Sequence, residues 1–203
     1  MRIVFIGAGG HGKVCAEIAE LVGYRDILFL DDDKELNACG KYKNVGKVND
    51  FYKFADPSTS FFVSIGNANI RQRIQRSVEH AGGRIATLVH PDAVVSKDVA
   101  IGNGTAVMAG TVINSGTVIG SGVIVNTSSS IDHDCRVGDY CHVAVGTHLC
   151  GTVEIGECTW VGAGAVVSNN VSICEGCVIG VGTVVIANIK SAGTYVGVPA
   201  RKK

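Results

Sequence analysis

The chain has no excess of either charge: 18 Lys and Arg stand against 18 Asp and Glu, for a formal net charge of zero. A nucleic-acid binder neutralises phosphates with clustered cations, so this balance argues against nucleic acid as a partner. Long apolar runs are missing too. None approaches the roughly 18 residues of a membrane-spanning helix, and the opening run Ile3-Val4-Phe5-Ile6 is shorter than the core of a secretory signal. The expectation is a soluble, cytoplasmic protein. Aromatic residues make up 6% and charged residues 18% of the 203 positions, and there are only 3 prolines. A core must therefore be built from small aliphatic side chains and close backbone approach, for which the 27 glycines are suited. The length accommodates one compact domain or two small ones.

What the sequence does have is a six-residue period. Stepping by six from Val89 gives Val95, Ile101, Val107, Ile113, Ile119, Val125, Ile131, Val137, Val143, Leu149, Ile155, Val161, Val167, Ile173, Ile179 and Val185, every one aliphatic. Val, Ile and Leu fill 32 of residues 89–190, so chance agreement in one register is on the order of 10⁻⁸ to 10⁻⁹, and the repeat outranks other signals. Four residues after each comes a second column, small but for Ile189, that includes Thr105, Thr117, Cys135, Cys141, Thr159 and Cys177. Glycine recurs just after the aliphatic position, at Gly102, Gly120, Gly138, Gly156, Gly162 and Gly180. One large and one small inward residue per short strand and corner predicts a narrow parallel β-helix. A sandwich of hairpins would need Asn-Gly or Asp-Gly turns every 8–12 residues, and none appears at that spacing.

The first eighty-odd residues read differently. Arg2–Ile6 is a buried strand, Gly7-Ala8-Gly9-Gly10-His11-Gly12-Lys13 turns into a helix, and Val14, Ile18, Leu21 and Val22 are expected on its apolar face. Further strands end at Asp31-Asp32 and at Gly66-Asn67; the helix after them has Ile70, Ile74 and Val78 as its stripe, with Arg71, Arg73 and Arg76 outside it. Strand–helix–strand order implies a small parallel α/β sheet. Gly7-x-Gly9-x-x-Gly12 fits a dinucleotide fingerprint with Asp31 or Asp32 at the ribose-binding place. A P-loop is rejected, since Val14 stands where magnesium needs a hydroxyl. About 85 residues are too few for a whole dinucleotide fold, so half of such a site is expected, suited to a nucleotide or nucleotide-sugar. His11 at the turn is expected to be exposed to whatever binds there.

Among the eight cysteines, Cys135, Cys141 and Cys177 are accounted for by inward packing, and Cys174-x-x-Cys177 lacks the second pair of a metal site, so no metal is expected. His133, in Ile131-Asp132-His133-Asp134-Cys135, lies off both inward columns and is expected on the surface. A flanking carboxylate, Asp132 or Asp134, would orient the ring and raise its basicity, as a general base requires. His142 follows nine residues later, half of an 18-residue coil, on the opposite side of the prism. If both act on one ligand they must meet across neighbouring subunits, which predicts a cyclic homo-oligomer, most simply a homotrimer with sites at the interfaces.

Together the His11 turn, Asp31-Asp32, Gly66-Asn67, the hexads, Asn126-Thr127-Ser128-Ser129, Asp132-His133-Asp134-Cys135, His142 and the tail Val196-Gly197-Val198-Pro199-Ala200 resemble the bacterial sugar O- and N-acyltransferases. That hexapeptide-repeat family includes the sialic acid O-acetyltransferases and the UDP-4-amino-sugar N-acetyltransferases of the bacillosamine type. The resemblance implies an α/β Rossmann-like nucleotide-sugar-binding domain over residues 1–86 and an all-β left-handed parallel β-helix over residues 87–203. It implies acetyl transfer from acetyl-CoA, a co-substrate rather than a permanently bound cofactor, to the 4-amino group of a UDP-linked sugar. His133 would be the general base with Asp134 beside it, where the N-acetyltransferase branch has Glu. His142, Ala163 and Val181 would meet acetyl-CoA, and Gly9, Gly10, His11, Asp31, Asp32 and Gly66 the nucleotide-sugar. The alternatives are a sialic acid O-acetyltransferase, a nicotinamide-dependent oxidoreductase suggested by the fingerprint alone, and a noncatalytic β-helix scaffold.

Overall fold

The computed structural model describes residues 1–33 and 35–203. They divide into two compact units, Met1–Pro91 and Asp92–Lys203. No helix among the described residues is long and apolar enough to cross a membrane.

In the first unit, strands β1 (Arg2–Ile6), β2 (Asp26–Leu30), β5 (Thr59–Val63) and β6 (Arg84–Ile85) form a parallel sheet in the order β2-β1-β5-β6. The small hairpin β3 (Ala38–Cys39) and β4 (Tyr42–Lys43) and a 3₁₀ helix at Val48–Phe54 lie between β2 and β5. A parallel sheet covered on both faces needs near-continuous apolar strands, and every residue of β5 is buried. Phe5 stacks on Phe29 at 5.0 Å. On the other side Val4, Ile6, Leu30, Phe61 and Val63 pack with Ile74 and Val78 of α2 (Ala68–His80).

Two helix faces differ from the sequence expectation. In α1 (Gly10–Leu21) the buried residues are Gly12, Cys15, Ala16, Ile18 and Ala19, while Val14, Leu21 and Val22 are exposed. Small residues let the helix lie close to the sheet, and that closeness outweighs the larger aliphatics. In α2, Arg71 is buried rather than outside the stripe, and Ile70 is exposed. The Arg71 guanidinium donates to the carbonyls of Ile65 and Gly66 at 2.7 and 2.8 Å, so hydrogen bonds replace its lost water.

The second unit is the expected left-handed β-helix. Two-residue strands recur every six residues from Val94–Val95 to Val184–Val185, each ending on the large aliphatic column. From coil to coil the strands pair in parallel 18 residues apart, as Val112↔Ser130 and Val118↔Arg136 do, until the last coil, so three narrow sheets enclose the prism. One sheet carries His142–Val143, Trp160–Val161 and Val178–Ile179, then Thr194–Val196 and the antiparallel Arg201–Lys202.

The small inward column does more than save space. Thr105 and Thr117 donate their hydroxyls to the carbonyls of Gly120 and Asp132 at 2.7 Å, and accept from the N–H groups of Val123 and Cys135. Cys135 and Cys141 donate their thiols to the carbonyls of Cys150 and Gly156 at 3.1 and 3.0 Å. Thr and Cys can therefore share one column because both are small and both reach the next coil's carbonyl.

Corners are set by backbone conformation. Every sixth residue from Gly104 to Gly182 has positive φ, mostly glycine but including Ser128, Asp134, Tyr140, Thr152, Cys158 and Asn170. A second glycine column has a different cause. A Cβ on Gly138 would lie 2.8 Å from the Glu157 nitrogen, and one on Gly102 2.5 Å from the Gly120 carbonyl carbon, so successive coils touch backbone to backbone there.

Candidate active site

The first constellation lies at the carboxyl ends of β1, β2 and β5, where a parallel sheet places ligands. A cleft of about 660 Å³ is lined by Gly7, Asp31, Asp32, Phe51, Ile65 and Arg73, among others. Asp31 accepts the Ala8 N–H at 2.6 Å and that of Asp33 at 2.9 Å, fixing the turn's mouth. Asp32 accepts the Val48 N–H at 3.0 Å, tying the 3₁₀ segment to the same edge.

The glycines of the turn separate into two groups. Gly7 has φ +107°, and a Cβ on Gly12 would collide with the Gly7 carbonyl, so both are required by the strand-to-helix turn itself. Gly9, Gly10 and Gly66 are exposed, and a Cβ on any of them would meet nothing within 4 Å. Protein packing does not ask for glycine at these three positions; a ligand held against bare backbone would.

His11 departs from expectation. It is half-buried rather than open to the site, with the Cys15 thiol 3.6 Å from its Nε2. Burial, then the nearby Arg71 charge, lower its pKa to about 4, so the ring is neutral at pH 7.

The second constellation is a corner of the β-helix. His133 follows the strand Ser130–Ile131, and its side chain is 55% exposed. Nδ1 lies 2.8 Å from the Asp134 carboxylate. Neighbouring residues of an extended strand point apart, but Asp134 has φ +58°, and this left-handed corner turns its carboxylate back to the ring. Asp132 instead accepts the His133 backbone N–H at 2.9 Å and the Asn114 side-chain amide at 2.9 Å, bonds that hold its carboxyl below the usual range, Asn114 having the larger effect. The Asp134 hydrogen bond first, and the Asp132 charge second, raise the His133 pKa.

Two neighbours of the histidines escaped sequence reasoning, and both follow from the 18-residue coil. Gly151, one coil above His133, is buried, and a Cβ there would lie 2.6 Å from Nε2, so the imidazole rests on bare backbone. Trp160, one coil above His142, stacks on that ring with centroids 5.5 Å apart and planes at 4°. Asn126 Nδ2 lies 3.2 Å from His142 Nε2. Ala163 is half-buried, and Val181 is 80% exposed. Cys174 and Cys177 are free thiols 3.5 Å apart.

An exposed imidazole backed by a carboxylate can accept a proton at Nε2 while Nδ1–H donates to Asp134, the arrangement of a general base. The exposed backbone of Gly9 and Gly10 at the N-terminus of α1 can receive a phosphorylated ligand against its N–H groups.

Residues 2–78 match the PglD N-terminal domain family. UDP-N-acetylbacillosamine N-acetyltransferase of Bacillus subtilis is 34% identical over 102 residues, a match spanning 47% of this chain and 46% of that protein, about half its length. The acetyltransferase domain of PglB from Neisseria gonorrhoeae, solved with acetyl coenzyme A, is 36% identical with a TM-score of 0.95 over 100% of this chain and 98% of that one. PerB from Caulobacter crescentus, solved with CoA and GDP-perosamine, is also 36% identical, with a TM-score of 0.95 over 100% and 97%.

Proposed function

The chain belongs to the hexapeptide-repeat family of bacterial sugar acetyltransferases, and on that premise we propose that it acetylates the 4-amino group of a UDP-linked amino-deoxy sugar, with His133 as general base. At the coarser level it is an acetyl-CoA-dependent acetyltransferase of a nucleotide-linked amino sugar. The observation that supports the role given to His133 is the 2.8 Å pair of its Nδ1 with Asp134 on an exposed corner.

The amine nitrogen of the sugar attacks the thioester carbonyl carbon; the new C–N bond forms as the carbonyl π electrons move to oxygen. His133 Nε2 takes the proton that the nitrogen sheds, and Asp134 stabilises the resulting imidazolium through Nδ1–H. The tetrahedral intermediate collapses, the C–S bond breaks, and the thiolate leaves to take up a proton as CoA. A donor at His142 suits the oxygen that carries the charge in between. Ala163 and Val181 lie along the pantetheine arm in this reading. In this reading the nucleotide diphosphate lies at the glycine turn of the first unit, with Gly9, Gly10 and Gly66 giving it bare backbone, Asp31 and Asp32 accepting from hydroxyl or base N–H groups, and neutral His11 behind the turn. A homotrimer would bring His133 and His142 of neighbouring subunits to one interfacial cleft, since half a coil separates them within one chain.

The name of the Bacillus subtilis relative supports UDP, whereas the full-length likeness to PerB favours a GDP-linked sugar as the second reading. Thiol release from acetyl-CoA, measured against UDP- and GDP-linked 4-amino sugars, CMP-sialic acid and free sialic acid, tests both. Release with the UDP-linked amine is expected. Preference for the GDP-linked amine moves the assignment to the second reading; release only with sialic acid makes the enzyme an O-acetyltransferase and contradicts both.

A further inference from the structure

We propose that Trp160 is a positioning residue for acetyl transfer. Stacked on His142, it holds the imidazole plane while Asn126 fixes the ring's proton, so one orientation and one tautomer meet the thioester. The role rests on reading His142 as the group beside that thioester.

The three residues stand on consecutive coils of one sheet. Ile124–Val125, His142–Val143 and Trp160–Val161 are adjacent parallel strands, with His142 and Trp160 direct Cα partners. Parallel strands about 4.8 Å apart bring outward rings on neighbouring coils within offset-stacking range. The observed 5.5 Å and 4° are that geometry. Asn126, just past the strand below, meets the ring edge-on. Its Oδ1 accepts the Thr127 N–H at 2.8 Å, which assigns the oxygen to that side and turns the amide nitrogen to the imidazole. An amide nitrogen only donates, so His142 Nε2 accepts, and the proton of the neutral ring sits on Nδ1.

The prism does not require the indole. Trp160 is the chain's single tryptophan and stands 52% exposed on the outer surface, in a column whose neighbouring members are Ile124, His142 and Val178. Val178 shows that a β-branched residue serves as well for the strand. What a flat ring adds at this place is a surface against which a second flat ring cannot turn about its χ2.

The test uses Trp160→Phe and Trp160→Val in the full-length enzyme, both with strand-compatible residues at an outward position. Trp160→Phe is expected to keep kcat within about threefold and Trp160→Val to lose about tenfold, with the KM of the nucleotide-sugar and the thermal midpoint unchanged. Nitrogen-15 shifts of the His142 ring should report the Nδ1–H tautomer in the wild type and the Phe variant, and a tautomer mixture in the Val variant. Unchanged shifts and full kcat in Trp160→Val, with His142→Ala impaired, overturn the stacking role alone. Full activity in His142→Ala overturns the reading of His142 and the positioning role with it.

Discussion

The glycine turn of the first unit and the His133 corner of the β-helix each hold a histidine, in opposite surroundings. His11 is pressed against Cys15 and near Arg71, and its pKa falls to about 4. His133 stands out in solvent beside two carboxylates, and its pKa rises. The same side chain is a neutral, half-buried ring at pH 7 in one region and an exposed group of raised basicity in the other. Charge placement and burial decide which, not residue type.

Four experiments sharpen or break this contrast. The largest effect belongs to the base: His133→Ala should lower kcat by about 10²–10⁴ with an unchanged circular dichroism spectrum, and a loss below tenfold would leave the corner without its chemical role. His11 should appear in stability instead. Its folded pKa lies below its unfolded value, so the unfolded chain binds the proton first and stability declines as pH falls from about 6.5 to about 4. The whole decline is on the order of 3 kcal/mol. His11→Gln should flatten that dependence in denaturant titrations; an unaltered slope would mean that His11 is not buried neutral.

Glycines offer a smaller version of the same comparison. Gly138→Ala forces a methyl against the Glu157 nitrogen of the next coil and should cost about 1–3 kcal/mol of unfolding free energy. Gly9→Ala meets only open space and should change stability by no more than about 0.5 kcal/mol, while raising the KM for the nucleotide-sugar. Equal thermal midpoints for the two variants would erase the distinction between packing glycines and ligand glycines.

The β-helix was legible because a six-residue period maps each position directly onto inside, corner or surface. His133 on the surface and Cys135 and Cys141 inside follow from counting alone. The helices of the first unit were not legible to the same degree. A helix carrying Val14 and Leu21 beside Cys15, Ala16 and Ala19 can bury either face, and the close approach of the sheet chose the small one. Arg71 was misplaced because only the folded chain places the Ile65 and Gly66 carbonyls where a buried guanidinium can bond them. The choice between Asp132 and Asp134 was open for a similar reason, since it turns on a φ of +58° that no spacing encodes. Gly151 and Trp160 lay within reach: adding 18 to His133 and to His142 finds both.

The most direct measurement is the pH dependence of kcat/KM alongside the NMR titration of His133, in the wild type and in Asp134→Asn. A general base must be neutral to act, so activity should fall as pH drops through the His133 pKa. In the wild type the acid limb and the His133 titration should coincide above 6.5, the ordinary histidine value. In Asp134→Asn both should move together to lower pH. An acid limb that stays in place while His133 shifts would contradict the account.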